Sequence, residues 1–249
     1  RVKDMTCMFF DSRFDGEISK WNVRNVRRMS YMFCHSCFNG DIGDWNVSRV
    51  KDMSGIFKDS CFTGDISHWD VSKVKDMSYM FCNSKFDGDI RSWNVHKVKD
   101  MTSMFRNSHF KGDISEWNVH KVKSMKNMFY KSIFNGNISQ WDVYNVENMS
   151  GMFCNSEFNG YIGSWEIGAS DMSNMFRKSK FNGDLSKWRP RGYAIDMTGM
   201  FAESEFNGDI SEWKTDFQTD VEEMFELSKF YQNITTWLNQ PEIKNRSKY

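Results

Sequence analysis

Tryptophan sets a period in this chain that limits what it can fold into. Trp21, Trp45, Trp69, Trp93, Trp117, Trp141 and Trp165 stand 24 residues apart, and Trp188, Trp213 and Trp237 follow at 23, 25 and 24. Every tryptophan of the 249 residues belongs to this series. A unit of that length cannot bury an apolar face alone, so it has to lay that face against the copies before and after it. Length by itself allows one large domain or two small ones. A stack of repeats is instead a single quasi-one-dimensional domain, so residues 1–237 read as one solenoid of ten units, the first of them partial. The segment 238–249, "LNQPEIKNRSKY", breaks at Pro241 and turns polar, as a C-terminal cap or tail does.

Each unit follows the pattern F-x-G-D-I-S-x-W-(N/D)-V-x-x-V-x-x-M-x-x-M-F-x-x-S-x. In the unit that starts at Phe62, Phe62, Gly64 and Ile66 alternate with polar residues, which predicts a short strand. Trp69 and Val71 continue the spacing of two. Val74, Met77, Met80 and Phe81 then recur at three and four, the spacing of one helical or 3₁₀ turn. Two phenylalanine columns take 20 of the 22 Phe, and two methionine columns take all 18 Met, so these residues read as core rather than as a binding stripe. The glycine column supplies a special backbone conformation or a close approach. A buried indole N–H needs an acceptor, and the polar column of Asn22, Asn46, Asp70 and Asn94 is placed to offer one or to bridge successive units.

The stretch "FTGDISHWDVSKVKDMSYMF" (Phe62 to Phe81) resembles the repeat of BspA-like leucine-rich-repeat surface proteins, in its mycoplasma-type lipoprotein form. The resemblance runs through all ten units. It implies a leucine-rich-repeat-like solenoid, with short parallel β-strands on one face and short helical, 3₁₀ or irregular segments on the other. It further implies an adhesion or interaction role, no enzymatic activity, and a place at the cell surface, outside the cell or on a virion. Phe, Ile, Trp, Val and Met stand where standard leucine-rich repeats carry leucine.

Stacking turns each column of residues into a line with a rise of about 4.8 Å per unit. The acids after glycine (Asp41, Asp65, Asp89, Asp113) could form a calcium-binding carboxylate row, but Tyr161 interrupts it, and the simpler reading is Asp accepting backbone N–H groups at a turn. A second acid column (Asp4, Asp52, Asp76, Asp100) is placed to cap the predicted helical turn. Two adjoining basic rows carry Arg27, Lys51, Lys75, Lys99 and Lys123, and Arg49, Lys73, Lys97 and Lys121, with His96 and His120 beside them. They read either as a solvated edge or as a ladder for a polyanionic partner. Exposed aromatics interleaved with the charges, which single-stranded nucleic acid requires, are missing, so no specific nucleic acid is expected. The charge is uneven but mild: residues 1–148 carry 22 basic and 18 acidic residues, and residues 149–249 carry 11 and 15.

Cys37 and Cys61 share a column on adjacent units, within reach of a disulfide. Cys34, Cys82 and Cys154 share another column but stand two or more units apart, and His35, His68 and His109 fall in separate columns, so no catalytic or metal constellation is expected. No phosphate loop or nucleophile elbow occurs, and no cofactor is implied. No apolar run approaches the roughly 18 residues of a membrane-spanning helix. The chain opens inside a unit, since "RVKDMTCMFFDS" matches the second half of "NVRNVRRMSYMFCHS", so any signal or anchor is expected outside this sequence. The expectation is a non-enzymatic module that binds a protein or glycan through its repeat face. The alternative is a structural protein that self-associates into a larger surface or virion assembly.

Overall fold

A 24-residue unit has too few residues to satisfy its own backbone, and in this protein it does so by bonding to its neighbours along one segment. The computed structural model describes residues 2–190, 194–213 and 219–234; Arg1, Trp237 and the tail 238–249 lie outside these described residues. A parallel bridge joins each unit to the next, from Asp4–Arg28 through Arg28–Asp52, Asp52–Asp76 and Asp76–Asp100 to Asp196–Asp220. Around that bridge, Lys51 N–H donates back to the Arg27 carbonyl at 2.9 Å. Met53, Gly55, Phe57 and Asp59 donate forward to Asp76, Ser78, Met80 and Cys82 at 3.0, 2.7, 3.1 and 2.8 Å. Cys61 N–H returns to the Ser36 carbonyl at 3.2 Å.

Alternate N–H groups face the next unit because the chain between them folds into overlapping tight turns. Ile56, Lys58 and Ser60 donate to Met53, Gly55 and Phe57, each three residues back. Gly55 and Asp59, third in the first and last of these turns, have φ of +56° and +54°, the mark of a type II turn. Among the described residues neither a helix nor a continuous strand forms, which differs from the expected architecture. The spacing of Val74, Met77, Met80 and Phe81 comes from linked turns. The parallel pairing runs through this segment, whereas Phe62–Val71, read as a short strand with an extended continuation, makes no backbone bond to another unit.

In the Phe62–Val74 segment side chains make the links between units. Trp45, Trp69 and Trp93 donate Nε1–H to the carbonyls of Ile18, Ile42 and Ile66 in the preceding unit at 3.1, 3.1 and 3.2 Å. That corrects the expected acceptor, because Asn46 and Asp70 are engaged locally with Ser48 and Ser72. The bridging amides sit in a different column, where Thr63 N–H donates to Asn39 Oδ1 and Asn159 N–H to Asn135 Oδ1, both at 2.8 Å.

The eight apolar columns meet in one core, with Phe62, Ile66, Trp69, Val71, Val74, Met77, Met80 and Phe81 all at most 3 % exposed. Phe57, Phe81, Phe105 and Phe129 stack along it with ring centroids 5.9, 5.7 and 5.8 Å apart. Each ring also lies on the phenylalanine five residues further on, which opens the following unit, Phe57 on Phe62 at 4.3 Å and Phe105 on Phe110 at 4.4 Å. That second ring explains the glycine: a Cβ on Gly112 would come within 2.7 Å of the Phe110 ring edge. The unit of 23 residues loses its residue at the corner Ile167–Gly168–Ala169, where a Cβ on Gly168 would overlap the Tyr144 carbonyl.

Gly112→Ala forces a packed ring to move, so it is expected to destabilise the chain by about 1–3 kcal/mol. Urea unfolding measures this, with the exposed Glu116→Ala of the same unit as a control expected to stay within about 0.5 kcal/mol of wild type.

Candidate functional site

The basic rows take their places from the backbone. Arg27 accepts from Lys51 N–H, Lys51 from Lys75, Lys75 from Lys99 and Lys99 from Lys123, at 2.9, 2.8, 2.8 and 2.8 Å. These residues therefore form one line at ladder spacing, and their side chains are exposed. Arg49, Lys73, Lys97 and Lys121 hold the third position of the corner turns Val47–Val50, Val71–Val74, Val95–Val98 and Val119–Val122. Buried valines fix each of those corners from both ends. Among the described residues, Lys51, Lys73, Lys75, Lys97, Lys99 and Lys121 enter no ion pair, and the row closes where Lys123 Nζ meets Glu147 at 2.8 Å. Arg49 donates to Asn25 Oδ1 at 3.1 Å, and with Lys3, Asn25 and Arg27 it lines a shallow groove at the other end.

His96 and His120 stand at the same corners, each with Nδ1 2.6 Å from the amide oxygen of Asn94 or Asn118. Against an amide oxygen only Nδ1–H can donate, which leaves Nε2 without a proton in the neutral ring. The two histidines thus border the rows.

Both acid columns serve the backbone. Asp65 and Asp113 accept the N–H groups of Ser67 and Ser115 at 2.8 and 2.9 Å, and these bonds to the charged form hold both carboxyls below the usual aspartate range. Asp52, Asp76 and Asp100 accept from Ser54, Ser78 and Thr102 in the same manner; the turn they cap is not helical. Burial pushes the Asp76 carboxyl up, with its column neighbours Asp100 and Asp52 adding to the effect.

All six cysteines are free thiols, and Cys37 and Cys61, the pair within reach on adjacent units, stand exposed and unbridged. One grouping was not expected from the sequence. The thiol of Cys34, the ring of His35 and the carboxylate of Asp59 bring ligand atoms within 4.8 Å of one another. The period carries the signal for it, because Cys34 and His35 are chain neighbours and Asp59 lies 24 residues beyond His35. Comparing residues only down a column hides such a group.

The acid columns give the fold a pH dependence of definite sign. Carboxyls lowered below 3.8, such as Asp65, Asp113, Asp184 and Asp209, contribute stability above that value and lose it as pH falls through their folded values. Asp76 is raised and acts in the opposite direction. A carboxyl-detected NMR titration is expected to place Asp76 above and Asp113 below 3.8. Asp113→Asn is expected to keep the turn, as Asn137 does by accepting Ser139 N–H at 3.0 Å, while removing its share of the acid sensitivity in urea unfolding.

Comparisons with curated proteins and with solved structures match nothing. A family model matches in three overlapping stretches, residues 1–86, 83–188 and 168–248, which together span nearly the whole chain. With its tandem units and this match, the chain belongs to the family described as Mycoplasma protein of unknown function, DUF285.

Proposed function

We propose that this protein is a non-enzymatic interaction module whose paired basic rows bind an extended polyanion, either an acidic glycan or an acidic protein segment. The observation that carries the reading is the line Arg27–Lys51–Lys75–Lys99–Lys123, held in register by backbone bonds of 2.8–2.9 Å with its central lysines unpaired. Unit charges about 5 Å apart repel by roughly 0.8 kcal/mol in water. A folded state that lines them up without close ion-pair partners keeps much of that repulsion, and a ligand with regularly spaced anions removes it. Two rows side by side also give such a ligand a direction along the stack. The kinship with BspA-like leucine-rich-repeat surface proteins, with its adhesive role and its location at a cell or virion surface, is part of the same proposal.

The test is binding of a sulfated glycan and of polyglutamate, measured by titration at about 0.05 and 0.2 M salt, a range over which screening between exposed charges grows strongly. Binding of one or both is expected to weaken with salt and to fall at least tenfold in the triple variant Lys73→Glu, Lys97→Glu, Lys121→Glu. Failure of both polyanions to bind, or binding that the triple variant leaves unchanged, rejects the proposal.

A further inference from the structure

We infer that Cys34, His35 and Asp59 form a binding site for a divalent transition metal of borderline softness, of the Zn²⁺ type. Their ligand atoms lie within 4.8 Å of one another. Tetrahedral coordination, with metal–nitrogen and metal–oxygen distances near 2.0–2.2 Å and metal–sulfur near 2.3 Å, needs separations of about 3.3–3.8 Å. Closing that gap takes side-chain adjustments of about 1 Å. A thiolate, an imidazole and a carboxylate together suit zinc better than calcium or magnesium, which take oxygen ligands. Three protein ligands leave a fourth position open to solvent on the side of the exposed His35.

The site rests on rigid backbone. His35 N–H donates to the Lys58 carbonyl at 2.9 Å, Asp59 N–H to the Cys82 carbonyl at 2.8 Å, and the Cys34 carbonyl accepts from Asp11 at 2.9 Å. Asn83 Nδ2 donates to Asp59 Oδ1 at 2.7 Å. That bond orients the carboxylate and leaves Oδ2 toward His35 Nε2, 3.4 Å away. It is the outer-sphere support that metal-ligating carboxylates use. Lys58 Nζ lies 3.0 Å from the same Oδ2, so an ammonium now supplies the positive charge that the ion would bring. Its side chain is 28 % exposed and can swing into solvent when an ion takes its place.

Co²⁺ titration of the full chain, read by thiolate-to-cobalt charge transfer and d–d absorption with Zn²⁺ competition, tests this assignment. One saturable equivalent is expected, and its signal is expected to disappear in both Cys34→Ser and His35→Ala. Asn83→Ala is expected to weaken affinity about 10–100-fold. Lys58→Met is expected to tighten it about tenfold, because the competing ammonium is gone. Near-ultraviolet circular dichroism of the stacked aromatics verifies that each variant is folded, and His35 and Lys58 are accessible enough to be replaced without opening the core. The assignment is overturned by absence of saturable binding, by a signal that survives in either ligand variant (as it would if Cys7, Cys37 or Cys61 held the ion), or by Lys58→Met leaving affinity equal or lower.

Discussion

The backbone ladder between units is the interaction on which everything else here depends. In each unit of the type Met53–Asp59, four N–H groups are aimed forward, at the next unit. Aiming them all one way requires two residues per unit in the left-handed region, and most of those positions are not glycine. A non-glycine residue there costs about 1–2 kcal/mol, so the ladder has to outweigh that cost at every unit. The sequence softens it where it can. One of the two columns holds Asp11, Asp59, Asn83, Asn107 and Asn155, the residue types that tolerate left-handed backbone best, and the other takes Gly55, Gly151 and Gly199. No β-branched residue occupies either column among the described residues.

Once the ladder fixes the rise between units, the aromatic core follows. Rings repeating at that rise can stack in offset fashion along the axis, as Phe81, Phe105 and Phe129 do, and each stacked pair adds about 0.5–1.5 kcal/mol beyond the area it buries. The tryptophans close the other side of the core. From Trp45 to Trp213 each buries its ring and donates its indole N–H to an isoleucine or leucine carbonyl of the preceding unit, so the buried indoles of the segment without backbone pairing still find acceptors. The glycine beside each phenylalanine is a consequence of that packing, since its own unit's ring occupies the place of a side chain.

The core was legible in the sequence, residue by residue, because burial depends only on which columns are apolar, and the period makes columns visible. The local conformation was not. Apolar residues at spacings of three and four fit a helical turn, and they fit a run of tight turns equally well, because both bring every third or fourth side chain to one side. The distinguishing signal was Asn, Asp and Gly recurring at the two left-handed columns, four residues apart, one inside the stretch read as helical and one just beyond it. The tryptophan acceptor was missed for a related reason: a column of amides next to the indole looked like its partner, but those amides fold back on the N–H two residues ahead. A side chain that can satisfy its own turn does so before it reaches across to a neighbour.

The candidate sites divide along the same line. The basic rows were visible because they run parallel to the axis, one residue type repeated in one column. The Cys34–His35–Asp59 group runs diagonally and is composed of departures from the pattern. Its column of left-handed residues carries acids at Asp11 and Asp59 on either side of His35, and only at Cys34–His35 does a cysteine–histidine pair stand next to such an acid. In the cysteine's own column the next unit carries Lys58, and the thiol of Cys82 follows beyond it. That lysine stands between the two cysteines in the column and sets an ammonium against Asp59. A repeat protein of this kind presents regular surfaces by obeying its pattern. Chemistry specific to one place can arise only where two or three neighbouring residues, on adjoining units, break it together.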